Sequence, residues 1–240
     1  MRLCAPARIE RTRWFAIGVA VVLCLATGTR ELRGQAPASG SITGRVTLTT
    51  RMRGVPISTS AYAARTVNDQ RPPASPEMRA VVVYLKDATA AGNLPISTAE
   101  IRQEHESFSP RVVAITRGST VNFPNFDPFF HNVFSLSGAA NFDLGRYPTG
   151  KSRSREFTKA GIVKVFCHIH SQMSATIVVF DHPHFTTPDT DGTFTLPNVP
   201  PGTYTLVGWH ERVGEQKSSI TVVAGRSVHA DISLPVEDAQ

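Results

Sequence analysis

The 240-residue sequence predicts an all-β protein. Three observations carry that class. Val, Thr, Phe and Ile recur in short runs that alternate with polar residues, the period-two pattern of a half-buried strand. Gly and Pro, seventeen of each, punctuate those runs as turn residues do. No long segment carries the apolar stripe at helical spacing that an amphipathic helix needs.

Residues 1–28 are expected to be a signal peptide. Arg2, Arg8, Arg11 and Arg13 form a positive region, and Trp14 to Thr27 is an apolar run of about fourteen residues, short for a membrane span. Cleavage after Gly28 would leave Ala26 at the small minus-three position; the alternative is an uncleaved anchor. Cys24 follows Leu23 rather than a small residue, which speaks against a lipid-modified cysteine. Either version puts the rest of the chain in the periplasm or outside the cell, with no stable membrane span after cleavage.

Cleavage would remove four arginines and Glu10, so the formal net charge falls from +6 to +3. That is mild basicity, and it argues against nucleic acid as a partner. Cys4 and Cys24 would also go, leaving Cys167 alone of three cysteines. No disulfide can then staple the mature chain, so the thiol is buried, reactive or bound to a metal.

The strands follow in order. Gly40 to Thr50 alternates cleanly, Val67 to Pro76 reads as a polar, proline-rich loop, and Ala80 to Lys86 is a second strand. Residues 96–181 hold their own series, at Val112 to Thr116, Thr120 to Pro124, Asn132 to Leu136, Ser154 to Phe157, Ile162 to Phe166 and Ala175 to Phe180. Such a series reads as a compact sandwich of short strands. Beyond it, the turn dipeptides Asp191-Gly192 and Pro201-Gly202 separate strands at Thr193 to Leu196 and Thr203 to Trp209, with two more at Ser218 to Val223 and Val228 to Leu234.

The stretch "KVFCHIHSQMSATIVVF" (164–180) carries the chemistry. Cys167, His170 and Met173 offer one thiolate, one imidazole and one thioether from a single loop after a strand. Copper cycling between its two oxidation states suits two imidazoles, one thiolate and a distant thioether. His131, in "DPFFHNVFSLS", is the candidate for the second imidazole. His168 directly follows the cysteine and points the opposite way along an extended chain, so His170 is preferred to it. His182-Pro183-His184 reads as an inter-domain loop rather than a copper site.

Two further features flank this set. Core packing is expected to account for most of the cluster Phe123, Phe126, Phe129, Phe130 and Phe134, which brackets His131; an apolar shell there also keeps water from the metal. "KSRSREFTK" (151–159) puts Arg153 and Arg155 on one strand face, as a solvated strand with docking to an acidic partner as the alternative.

"HNVFS" and "FCHIHSQM" resemble the cupredoxins, the blue copper proteins, and the Cys-x-x-His-x-x-Met loop is similar to that of amicyanin. "FPNFDPFFHNVFS...FDLG...FCHIHSQMSA" also resembles plastocyanin-like and methylamine-utilisation proteins. The resemblance implies a Greek-key β-sandwich holding one type 1 copper ion, with His131, Cys167 and His170 as equatorial ligands and Met173 as the weak axial one. It implies that Asn132 pins the two ligand loops together and directs a backbone N–H at the thiolate, and that electrons pass through the imidazole of His170. A multicopper oxidase would need a His where Phe166 stands and further His-x-His pairs, so no enzyme activity is expected. A binuclear centre would need a second cysteine.

"DGTFTL", "VPPGTYTL" and "ITVVAGRSVHADISL" resemble the carboxypeptidase regulatory-like domain, a transthyretin-like β-sandwich. In that family a strand of the "ITGRV" kind opens the domain. The implied architecture is a cupredoxin sandwich (96–181) inserted in or flanked by a transthyretin-like sandwich whose parts are 40–95 and 185–235. The function implied is one-electron carriage for a redox partner such as a c-type cytochrome or a dehydrogenase. The alternatives are copper delivery or storage, and a surface adhesion or carbohydrate-binding protein using Tyr204 and Trp209.

Overall fold

The computed structural model of the protein describes residues 38–49, 76–86, 88–90 and 92–236. The segment expected to be a signal peptide, with Cys4 and Cys24, lies outside the described residues, as does the loop at 67–76 apart from the backbone of Pro76. No helix among the described residues is long and apolar enough to cross a membrane.

A sandwich of two four-stranded sheets is built from both ends of the described chain. Its first half supplies β1 (Gly40–Thr49), a short 3-10 helix (Pro76–Ala80) and β2 (Val81–Leu85). Its second half supplies β13 (Phe185–Thr186), β14 (Thr193–Val199), β15 (Gly202–His210), β16 (Gly214–Val222), β17 (Ser227–His229) and β18 (Ile232–Pro235). One sheet has the order β14-β1-β17, with β18 also paired to β1; the other runs β13-β2-β15-β16. Strands before and after the middle of the chain therefore pair directly, β1 with β14 and β2 with β15. Inward residues of the alternating runs, among them Ile42, Val46, Leu85, Leu196, Leu206 and Leu234, form its core.

The strand expected over Val228 to Leu234 is broken in two at Ala230 and Asp231. Gly44 on β1 faces the break: the Ala230 carbonyl occupies the space a Cβ would need, so the two backbones approach closely there. Asp231 Oδ1 accepts the Arg45 N–H at 2.8 Å in place of a ladder bond. The predicted turn at Asp191-Gly192 is present, with Gly192 at φ +86°, a conformation that favours glycine.

The middle of the chain makes a second sandwich. Its strands are β3 (Thr98–Glu100), β4 (Arg102–Glu104), β5 (Ser107–Ser109), β6 (Val112–Thr116), β7 (Thr120–Pro124), β8 (His131–Ser137), β9 (Ala140–Tyr147), β10 (Ser152–Glu156), β11 (Gly161–Phe166) and β12 (Ser174–Phe180). A five-stranded sheet in the order β6-β12-β11-β8-β9 faces the three-stranded sheet β10-β7-β3, and β4 and β5 form a hairpin. Val121, Phe123, Val133, Val163, Val165 and Ile177 fill the space between them.

The two sandwiches share a third apolar cluster. Val82, Val207 and Trp209 from β2 and β15 meet Val112, Val178 and Phe180 from β6 and β12. Trp209 is thereby buried, so it is not available as a surface platform for a glycan. Arg153 and Arg155 on β10 turn together toward β9, where Arg153 lies 5.3 Å from the Tyr147 ring centroid and Arg155 5.4 Å from that of Phe142. That arrangement closes the open edge of the sandwich by cation–π contact.

Candidate metal centre

Three of the four sequence-predicted ligands converge at one end of the middle sandwich. His131 is the first residue of β8, Cys167 directly follows β11, and β12 begins immediately after Met173. Antiparallel pairing of β11 with β8, Phe166 opposite Phe134, brings the ends of these strands side by side. Cys167 Sγ lies 3.8 Å from His131 Nδ1 and 3.9 Å from His170 Nδ1, and the two Nδ1 atoms are 3.0 Å apart. Among the described residues this is the one group of three or more His, Cys or acidic side chains spaced to hold a metal ion.

The loop is short enough to fold on itself. Met173 N–H donates to the His170 carbonyl at 3.0 Å, and Cys167 N–H donates to the Met173 carbonyl at 3.3 Å. Met173 is 1% exposed and shares the apolar core with Cys167, which places the thioether on the buried side. His131 is fully buried and Cys167 nearly so; His170 alone of this set is partly exposed. His168 is exposed, its ring 3.8 Å from that of Phe134, and it stands outside the convergent group. Its backbone N–H donates to Asn132 Oδ1 at 2.8 Å. The pinning of the two loops through Asn132 is therefore made by its side chain.

His131 is held by residues that sequence reading did not single out. Asp127 Oδ2 lies 2.8 Å from His131 Nε2, the nitrogen facing away from the thiol. The same carboxylate accepts the backbone N–H groups of His105 and Glu106 at 2.7 and 3.0 Å. Those two residues form the β4–β5 turn at φ 55° and 51°, a conformation unusual for non-glycine residues that the Asp127 bonds help to hold. Burial pushes the Asp127 carboxyl up, but the hydrogen bonds from His131 and from the two backbone N–H groups outweigh it, so its pKa lies below the ordinary carboxylate value. It therefore stays ionised and fixes the ring so that Nδ1 faces Cys167.

Asn125 shapes the loop that carries Asp127. Its Oδ1 accepts the Asp127 N–H at 3.0 Å, and its Nδ2 donates to the carbonyls of Phe129 and Tyr147. Tyr147, opposite His131 on β9, donates its hydroxyl to the Phe123 carbonyl and accepts from Gln103 Nε2. Burial raises the Tyr147 phenol to about 12, so it remains neutral beside the thiol. The sequence signal for Asp127 was present four residues before His131 but reads as turn chemistry in "NFDPFF".

The aromatic cluster departs from the expectation of core packing. Phe123 is buried, yet Phe126, Phe129 and Phe130 are 57%, 38% and 54% exposed. Phe129 lies with its centroid 5.2 Å from the His131 ring and 5.4 Å from the His170 ring. Phe129 therefore gives the half-buried His170 imidazole an apolar neighbour at the surface.

His182 and His184 are buried in the segment joining β12 to β13, their rings stacked 6.2 Å apart. His184 N–H donates to His182 Nδ1, so one lone pair is already used.

The donor set fits a small d-block ion. Bonds of about 2.0–2.1 Å to nitrogen and about 2.3 Å to sulfur in a trigonal plane would separate N from S by roughly 3.8 Å, as zinc sites illustrate. The observed S–N separations match that spacing, and the Nδ1–Nδ1 gap is shorter than the roughly 3.5 Å such a plane needs. A soft thiolate with a thioether behind it favours copper over zinc.

Fold and site thus define a β-sandwich protein in which His131, Cys167 and His170 form a group that could hold a metal ion. Residues 172–235 match the carboxypeptidase regulatory-like domain, and the match begins just ahead of β12. Among solved structures the chain is similar to a Cu-containing nitrite reductase from Thermus scotoductus SA-01, at 28% identity and TM-score 0.33, over 39% of this chain and 24% of that one. The chain thus spans about a quarter of the length of that reductase. It is also similar to a purple cupredoxin from Nitrosopumilus maritimus, at 23% identity and TM-score 0.31, over 34% of this chain and 99% of that one. A reduced amicyanin variant gives 22% identity and TM-score 0.32, over 35% of this chain and 82% of that one. No curated protein sequence matches the chain.

Proposed function

We propose that the protein is an exported type 1 copper protein that carries single electrons between partners and catalyses no substrate turnover itself. The observation that carries this reading is the convergence of His131 Nδ1, Cys167 Sγ and His170 Nδ1 within 4 Å of one another. His131, Cys167 and His170 would hold the ion and Met173 would stand as the distant axial donor. Copper supplies a one-electron couple when bound.

The chain's own residues do the rest. Asp127 keeps Nε2 of His131 engaged, which leaves Nδ1 free to ligate. Burial of Cys167, Met173 and His131 excludes water, so the ligands have little freedom to rearrange on redox change. The same burial favours retention of the ion and so speaks for carriage over delivery or storage. His170 reaches the surface beside Phe129, where a c-type cytochrome or a dehydrogenase would dock. In this reading residues 96–181 form the redox module and residues 40–95 with 185–235 form its supporting sandwich, in the periplasm or outside the cell.

Anaerobic stopped-flow mixing of the copper(I) protein with an oxidised c-type cytochrome tests the role. Second-order electron exchange, slowed when Phe129 is changed to Ser, is expected. A site that cycles chemically yet exchanges no electron with any cytochrome or dehydrogenase would overturn it.

A further inference from the structure

The loop that carries Cys167, His170 and Met173 is gripped from outside near both of its ends. Near its start, the His168 N–H donates to Asn132 Oδ1 at 2.8 Å, which ties it to the strand that begins with His131. Near its end, Gln172 Nε2 donates to Glu106 Oε2 at 3.0 Å. His170 stands midway between the two grips, and of His131, Cys167, His170 and Met173 it alone is not buried.

Glu106 is itself fixed to the His131 side of the site. Its backbone N–H and that of His105 donate to the two oxygens of Asp127, whose Oδ2 also engages His131 Nε2. The hairpin behind the turn is anchored to the same loop, because the Gln103 carbonyl on β4 accepts the Phe126 N–H at 2.8 Å. On β5, Phe108 lies in the core of the sandwich. One short hairpin therefore reaches the residue behind His131 through its backbone and the His170 loop through a side chain.

The sequence of the turn shows that the side chain matters. A two-residue hairpin turn with both central residues at positive φ is best made by Asn-Gly. His105 and Glu106 occupy those places at φ 55° and 51°, a left-handed conformation that is costly for any residue with a Cβ. Glycine at 106 would relieve that cost and leave the N–H to Asp127 in place, but it would bring no carboxylate to Gln172. A local rule broken in this way marks a place where something else is gained.

We propose that Glu106 is a positioning residue for the metal: by holding Gln172 it orders the 167–173 loop from its far end and sets how firmly His170 retains the ion. This role deepens the copper reading and rests on it for retention of the ion, whereas the order of the loop is read without metal.

Two measurements on the whole protein test it. In the copper-free protein, amide hydrogen exchange followed by NMR reads the Met173 N–H, which closes the loop on the His170 carbonyl. Glu106→Ala should speed that exchange about threefold to tenfold, the weight of one hydrogen bond, and leave the amides of Val163 and Val165 on β11 unchanged. In the copper-loaded protein, loss of copper to excess chelator, read from the absorbance of the copper–chelate complex, should quicken by a similar factor. Gln172→Ala should match Glu106→Ala, and the double variant should be no faster, because all three lack the same contact. Glu106→Gln keeps an acceptor and should restore the wild-type rate. His105→Asn with Glu106→Gly should unfold in no less urea than the wild type, since it makes the favoured turn, and yet lose copper as fast as Glu106→Ala. Unchanged Met173 exchange or copper loss in Glu106→Ala, additive effects of the two alanines, or an Asn-Gly turn that retains copper like the wild type would each overturn the proposal. A chain that binds no copper would overturn the copper reading and the retention claim with it, while the exchange of Met173 would still decide whether Glu106 orders the loop.

Discussion

Asp127 Oδ2 and His131 Nε2 lie 2.8 Å apart inside the protein, and neither residue is more than 6% exposed. The carboxylate fixes which imidazole nitrogen carries the proton and so which one is free for a metal. Replacing Asp127 with Ala should lower copper affinity by about 10–100-fold, the usual cost of losing such a partner. Asp127→Asn, which can still accept a hydrogen bond, should recover part of it. Competition with a copper chelator measures both; equal affinities for all three proteins would show that Asp127 serves only the β4–β5 turn.

Met173 is buried against the same core as Cys167, and Leu fills a similar volume. Met173→Leu should therefore keep the fold and the copper while moving the visible spectrum and the reduction potential. Spectroelectrochemistry reads both. Unchanged values would mean that another group is axial.

Much of this site was legible because its signal is local. Cys167, His170 and Met173 sit at fixed spacing in one loop, and the alternating runs of β1, β2, β7, β8, β11 and β12 announce themselves by period. What was missed depends on contacts that cross the fold. Asp127 reads as a turn residue until β8 brings His131 back over it, and Gln103 has no meaning before Tyr147 meets it 44 positions later. Trp209 lies on the outer face of its own sheet, where only the packing of one sandwich on another buries it. The break at Ala230 lies against Gly44, far away in sequence.

Phe180 stacks on Phe185 with centroids 4.6 Å apart and contacts Tyr84, at the end of β12 remote from the loop. Phe180→Ala should cost about 3 kcal/mol of stability, at the lower end for a buried Phe because the residue borders a crevice. Urea unfolding followed by tryptophan fluorescence should show the loss, while the copper spectrum stays as in the wild type. A shifted spectrum would show that the sandwich contact reaches the site.

Acid should weaken the metal-free protein before its carboxylates titrate. Burial holds the pKa values of His182, His184 and His210 below the ordinary histidine value of 6.5. A base whose folded pKa is depressed binds more protons when unfolded, so its stabilisation is present above about 6.5 and is lost as pH falls through the folded value. The urea midpoint of the copper-free protein should therefore fall between pH 7.5 and pH 5, as orders of this kind imply. His184→Phe should flatten that slope; a midpoint rising with acid would contradict the assignment.

The most direct test of the central claim is the visible absorption and electron paramagnetic resonance of the protein loaded with copper(II), recorded before and after ascorbate. An intense blue band that bleaches on reduction, returns on oxidation and is abolished by Cys167→Ser is the predicted result. A colourless protein, weak tetragonal copper, or colour that survives in Cys167→Ser would contradict it.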